Sequence, residues 1–270
     1  MRQIPARVIE NRQLLSEFSR PHARTMLHSN ILWLHCPEIA REARPGQFVM
    51  VCASPAKCTL PRPFSIHQVN DENIALFFAV WEDGIGTNWL SQRTRGEAVH
   101  LFGPLGNGFS INPAAKNLLL VAGGLGIAPL YFLAEHAMKD GCKVRLLYGT
   151  ANINRYPEKD MPRGVELISA TEDGAVGKKG LVTDLLPHLA DGADQIFACG
   201  QMAMYRDMSL KKGELKLDGK PVQVSLEVRM GCGLGVCYGC TVKTKEGLRQ
   251  ACKDGPVFDL DDVLWEELVI

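Results

Sequence analysis

The chain is predicted to be a multidomain β plus α/β protein. An antiparallel β-barrel occupies residues 1–110, an α/β parallel-sheet nucleotide-binding domain occupies 111–222, and a small C-terminal domain occupies 223–270. Three observations carry this reading. Short apolar stretches separated by turn residues fill the first part, as in a small barrel or sandwich. From about residue 115 strands alternate with helices, the pattern of a parallel sheet with helices on its faces. The tail is rich in glycine and cysteine.

In the first part the strand candidates are Ile31–Leu34, Phe48–Cys52, Ile74–Trp81 and Val99–Phe102, with turns at Arg44-Pro45-Gly46 and Gly103-Pro104. In the second part Leu118–Ala122 is a continuous apolar strand, followed by a helix over Pro129–Met138. Val144–Tyr148, Val165–Ser169 and Gln195–Ala198 are further strands, and Thr183–Leu189 and Met202–Lys212 further helices. Val222–Val228 is expected to add the last edge of the sheet. Gly103–Phe109 reads as a tight domain-linking loop.

Lys+Arg and Asp+Glu number 30 each. That balance gives no electrostatic reason to expect nucleic acid or an anionic membrane as partner. The N-terminal MRQIPARVIENRQLL lacks the apolar centre of a signal peptide. A cytoplasmic location is expected, where thiols stay reduced and metal binding is favoured over disulfides.

The tail places Cys232, Cys237, Cys240 and Cys252 in a C-x4-C-x2-C-x11-C pattern. Its first three members match the plant-type ferredoxin spacing, which is followed by a distant fourth ligand. Two irons take two thiolates each, so the spacing predicts a [2Fe-2S] cluster. Gly231, Gly233, Gly235 and Gly239 let a loop bring the sulfurs together and aim N–H groups at them. A four-thiolate zinc site is the alternative, but zinc usually takes two C-x2-C knuckles and only Cys237/Cys240 forms one. Cys36, Cys52, Cys58 and Cys142 are scattered and read as small core hydrophobes.

Two segments have the make-up of nucleotide sites. Leu60–Ile66 sets Arg62 between prolines that fix the backbone. A fixed guanidinium suits a phosphate, and Ser65 offers a hydroxyl to a flavin ring nitrogen. Gly84-Ile85-Gly86-Thr87 reads as a glycine turn opening a helix, with Thr87 as N-cap. Taken alone, each also reads as an ordinary strand end or capped helix. Leu118–Ala122 runs into Gly123-Gly124-Leu125-Gly126, a strand–turn–helix geometry that cradles a pyrophosphate, although it is not G-x-G-x-x-G. A packing turn is the other reading. Cys199-Gly200 follows another strand, where a C-terminal strand end faces a cofactor crevice.

In this order, and over essentially the whole chain, these segments resemble the electron-transfer subunit of B-type dihydroorotate dehydrogenase, in the ferredoxin-reductase superfamily. Arg62-Pro63-Phe64-Ser65 is similar to that family's flavin motif. Gly84-x-Gly86-Thr87 is similar to its flavin phosphate turn, and Gly123-Gly124-x-Gly126-x-Ala128-Pro129 to its nicotinamide-dinucleotide turn. The four cysteines stand at its cluster ligands. The resemblance implies FAD and a [2Fe-2S] cluster as cofactors and NAD as co-substrate. It also implies flavin contacts at Ala79, Val80 and Trp81, made through backbone, and nicotinamide-side residues at Cys199 and Gly200. The implied partner is an FMN-containing dihydroorotate dehydrogenase catalytic subunit, in a heterotetramer of two of each. Gln201 stands where the family often has proline, and Val80-Trp81 where it often has an aromatic-basic pair. The small subunits of sulfide dehydrogenase and of the bifurcating NADH-dependent ferredoxin:NADP oxidoreductase are also similar, but their first ligand is typically aspartate; Cys232 favours the dihydroorotate system. A zinc-bound interaction module is the non-enzymatic alternative. Trp81, Trp89 and His67 are expected to pack, with no redox role.

Overall fold

A computed structural model describes residues 3–15, 25–53, 60–152 and 156–268. Cys58 lies outside them. The first part is a closed antiparallel barrel of β1 (Ile4–Leu15), β2 (Met26–His35), β3 (Phe48–Val51), β4 (Arg62–Asn70), β5 (Asn73–Trp81) and β6 (Ala98–Leu105), in the order β1-β2-β5-β4-β3-β6. A short helix α1 (Pro37–Ala40) and α2 (Ile85–Ser91) sit on connections. Val8, Leu32, Leu34, Val49, Ile66, Leu76 and Leu101 fill the barrel and are fully buried. Each such side chain contributes about 1.5–3 kcal/mol by leaving water.

The second part holds β7 (Asn117–Gly123), α3 (Ile127–Lys139), β8 (Lys143–Thr150), β9 (Glu166–Thr171), β10 (Lys178–Lys179), α4 (Val182–Leu189), β11 (Gln195–Cys199), α5 (Met202–Leu210) and β12 (Val222–Ser225). These strands pair in parallel in the order β10-β9-β8-β7-β11-β12. Leu118 to Ala122 are all at most 1% exposed, as expected for a central strand covered on both faces. α3 packs on one face, and α4 and α5 on the other.

The tail contributes a hairpin, β13 (Thr241–Thr244) and β14 (Gly247–Gln250), and a last strand β15 (Val257–Asp259). Here the sequence reading is corrected. The strand begun at Val222 stops at Ser225 and is not the sheet edge; β15 pairs antiparallel on its outer side. A seven-residue strand is replaced by four because Leu226 onward turns into the cysteine loop. A second correction concerns Gly103-Pro104, which lies inside β6 and not in a turn. The β3–β6 register slips between Phe48↔Leu105 and Met50↔Phe102, and this bulge tolerates a residue with no N–H to donate.

Among the described residues no helix is long and apolar enough to cross a membrane.

Candidate functional site

The β4–β5 ladder runs from Asn70↔Asn73 to Ile66↔Leu76 and stops there. Continuing that register would set Pro63 opposite Ala79 and Arg62 opposite Val80. The residues expected to hold a flavin thus lie on two facing strand ends between which the ladder has no pairs. β4 keeps its other neighbour, with Phe48↔Ser65, Val49↔Phe64, Met50↔Pro63 and Val51↔Arg62. Pro63 therefore sits on the part of β4 with one paired side, where a strand accepts proline. Arg62 is exposed, and its guanidinium donates to the Leu60 carbonyl at 2.7 Å. Phe64 packs edge-on to Phe78 with centroids 5.5 Å apart.

Beyond Trp81 the chain turns into α2, which carries Gly86 buried and Thr87 half-buried. Thr87 is not the N-cap. Gly84 takes that place, and the Thr87 hydroxyl, one turn inside, donates back to the Gly84 carbonyl at 3.3 Å. The Asn88 side chain closes the turn by donating to the carbonyls of Trp81 and Gly84 at 2.8 and 2.9 Å.

On the dinucleotide side, β7 and β11 are neighbours and their C-terminal turns touch. A Cβ placed on Gly200 would lie 3.1 Å from the Gly123 Cα, and one placed on Gly126 would overlap the Cys199 carbonyl. These glycines allow two backbones to meet at the strand ends, where open parallel sheets bind ligands. A cavity of ≈ 780 Å³ opens there. Gly123 and Gly124 line it from the sheet, Phe77 and Trp81 from the barrel. The end of β5 and the glycine turn after β7 thus face one crevice.

Two residues of this crevice region, Tyr205 and Glu227, carry no local sequence signal. The Tyr205 hydroxyl accepts from the Gly200 N–H at 2.7 Å and donates to the Ser225 carbonyl at 2.6 Å, fixing the turn after β11. Glu227 fronts the crevice and is accessible from it, yet its carboxyl reaches inward to within 3.9 Å of the Cys199 thiol. Burial pushes the Glu227 carboxyl up to about 7. Cys199 is buried, and burial with the nearby Glu227 charge drives its thiol well above the ordinary range. His67, on β4, is fully buried. Its Nδ1 lies 2.9 Å from the Ala128 carbonyl on α3, and its Nε2 lies 3.1 Å from the Tyr156 hydroxyl. Nδ1 therefore carries the proton. His67 packs, as expected, and it ties β4 to α3.

The four cysteines come together in the tail. Cys240 and Cys252 are buried, Cys232 is half-buried and Cys237 is exposed. The eleven residues between Cys240 and Cys252 are the β13–β14 hairpin, closed by Ala251 N–H donating to the Cys240 carbonyl at 3.0 Å. Cys232 stands within hydrogen-bond reach of Cys237, and Cys252 of Cys240. Backbone N–H groups point at the sulfurs, among them Leu234 to Cys232 at 3.3 Å, Gly235 to Cys252 at 3.1 Å and Cys252 to Cys240 at 3.4 Å. Burial opposes ionisation of Cys232, but N–H groups of Leu234, Cys237 and Val236 outweigh it and bring the thiol down to about 6. Burial and the neighbouring Cys240 push Cys252 up to about 12. Gly233 and Gly235 have φ of +71° and +75°, which lets the loop curl.

A family model described as the iron-sulfur cluster binding domain of dihydroorotate dehydrogenase B matches residues 227–264. The dihydroorotate dehydrogenase B (NAD(+)), electron transfer subunit, of Clostridium acetobutylicum is 38% identical over 218 residues, 80% of this chain and 85% of that protein. Its namesake from Caldanaerobacter subterraneus subsp. tengcongensis is 33% identical over 270 residues, 97% and 99% of the two chains. The chain belongs to the family of dihydroorotate dehydrogenase B electron transfer subunits. Among solved structures, an NADH-dependent reduced ferredoxin-NADP oxidoreductase studied for flavin-based electron bifurcation is similar with TM-score 0.82 and 28% identity, covering 97% of this chain and 91% of that one. The ferredoxin reductase of carbazole 1,9a-dioxygenase, at TM-score 0.60 and 20% identity over 83% of this chain and 68% of that one, shares the fold. The barrel, parallel sheet and cysteine tail of this family are therefore the architecture read from the sequence.

Proposed function

We propose that this chain carries electrons from dihydroorotate oxidation, performed on a partner FMN-containing catalytic subunit, through a [2Fe-2S] cluster and FAD to NAD+, in pyrimidine biosynthesis. A cluster passes single electrons, a nicotinamide takes two as hydride, and a flavin does both. The observation that supports the route best is that one chain brings three sites together. The end of β5, at Phe77 and Trp81, lines the same crevice as Gly123, Gly124 and Leu125, and the cysteine loop packs on the same barrel, with Gly233 against Met50 and Leu105.

The thiols fit two irons. They stand two by two, Cys232 with Cys237 and Cys240 with Cys252. In this reading Cys232, Cys237, Cys240 and Cys252 hold the cluster. Arg62, Pro63, Phe64, Ser65, Ala79, Val80, Trp81, Gly86 and Thr87 bind FAD. Gly123, Gly124, Gly126, Cys199 and Gly200 form the dinucleotide side, where Gly126 permits the close turn and Tyr205 holds Gly200.

The three-part division at residues 110 and 222, the heterotetramer of two of each subunit and the cytoplasmic location belong to the same proposal. Metal and sulfide analysis with a visible spectrum of the purified chain tests it. Flavin bands with two iron and two sulfide per chain support it, and one zinc with no colour refutes it. A second reading, the small subunit of a bifurcating NADH-dependent ferredoxin:NADP oxidoreductase, draws on the structural similarity to that enzyme. Identification of the co-purifying large subunit separates the two.

A further inference from the structure

The loop after β6 links the flavin barrel to the cysteine tail through one side chain. Asn107 Nδ2 donates to the carbonyls of Asp254 and Val257, both at 3.0 Å, and its Oδ1 accepts from the Val257 N–H at 3.1 Å. Its own N–H donates to the Gly255 carbonyl at 2.7 Å. All the hydrogen-bonding capacity that an asparagine amide commonly uses is spent on a stretch that begins two residues after Cys252. Gly106 makes the approach possible. A Cβ there would lie 2.6 Å from both the Gly255 oxygen and the Pro256 Cδ, and its φ is +71°. The Gln47 side chain holds the Gly106 carbonyl at 2.8 Å.

On the barrel side the connection is equally short. Leu105 pairs with Phe48, and Phe48 pairs with Ser65 at the end of the flavin motif. Strand pairing therefore connects Ser65 through Phe48 to Leu105, and two residues further along the chain Asn107 bonds to the segment behind Cys252. The front of the cysteine loop meets the same barrel wall, since a Cβ on Gly233 would lie 2.5 Å from Met50 Cγ. Asn107 itself is exposed, so replacing it opens no cavity in a core.

We infer that Asn107 is a positioning residue that fixes the separation between the flavin strand and the cluster loop, and with it the rate of electron passage between the two cofactors. The inference rests on the cofactor reading proposed above. Because the rate of electron passage falls steeply with distance, a clasp that stops the tail from drifting acts on that step and leaves hydride transfer at the crevice alone.

The test uses the full chain with its cofactors, as the Asn107→Ala variant and unsubstituted, mixed anaerobically with NADH. Flavin bleaching, the hydride step, is expected at the unsubstituted rate, and the following cluster bleaching is expected to slow several-fold. Hydrogen exchange should quicken at residues 253–258 and stay unchanged at 118–122. Cluster bleaching at the unsubstituted rate, or unchanged exchange at 253–258, overturns the inference. If Asn107→Ala does not accumulate folded, Asn107→Asp carries the same test: it keeps the acceptor for Val257 and replaces the donor with an oxygen facing two carbonyls. An unsubstituted chain without flavin or cluster colour overturns the cofactor reading and this inference together. One with both colours and an indifferent Asn107 overturns the inference alone.

Discussion

Replacing Gly126 by alanine separates two effects that usually run together. The residue has φ −60° and ψ −11°, helical values that alanine adopts freely. On backbone grounds the substitution would stabilise by about 0.4–1 kcal/mol. The new methyl, however, would overlap the Cys199 carbonyl and lie 2.8 Å from the Gly200 nitrogen, where ordinary contact begins at 3.4 Å. Both neighbours are backbone and Tyr205 pins Gly200, so the turns after β7 and β11 must part. Overpacking of this kind costs about 1–3 kcal/mol, which exceeds the backbone gain. If the parting is expressed in the crevice, NADH affinity falls by about 5- to 150-fold. The assay is NADH titration of flavin bleaching, with melting and cofactor content as controls. The account expects weakened binding with flavin and cluster content intact. An affinity within about twofold of the unsubstituted chain would refute the claim that these touching turns form the dinucleotide side.

Three further outcomes are expected. Arg62→Ala should lower FAD content without touching the cluster bands, as measured by the ratio of flavin to iron, because a fixed guanidinium near a phosphate is lost. Cys237→Ser should remove the cluster bands while NADH still bleaches the flavin; retention of two iron per chain would count against Cys237 as a ligand. His67 should make the fold acid-sensitive. Burial lowers it from 6.5 to about 4, so between those values the unfolded chain binds more protons than the folded one. Its contribution is complete above pH 6.5 and is lost as pH falls toward 4, by about 2 kcal/mol between pH 6.5 and pH 5. Urea melts of the unsubstituted chain and His67→Gln at pH 7 and pH 5 check this, and an equal loss in both proteins would contradict it.

How much of this was legible in the sequence depends on the range of the forces involved. β7 and β8 announce themselves because a central parallel strand must be apolar on both faces. The cysteine spacing was legible too, since each interval reflects local chain: a curled loop for x4 and x2, and the β13–β14 hairpin for x11. β1 went unseen because, among its described side chains, only Ala6 and Val8 are buried, and Arg7 and the polar run Glu10–Gln13 break up its apolar residues. β4 was hidden by Pro63, which is harmless because the β4–β5 ladder has stopped before reaching it. The N-cap was misplaced by three residues because Gly84 and Thr87 are both acceptable openers, and the choice was settled by Asn88 bonding back to Trp81. Tyr205, Glu227 and Asn107 act on residues brought near by the fold. The spacing that made the cysteines readable has no counterpart for them.

The most direct test of the central claim is anaerobic mixing of dihydroorotate and NAD+ with the purified chain, alone and in complex with its catalytic subunit. The account predicts NADH formation by the complex only, with cluster and flavin colours changing during turnover, and none by the chain alone. Dihydroorotate oxidation by the chain free of its partner, or full NADH formation by a complex carrying the cluster-free Cys237→Ser chain, would contradict it.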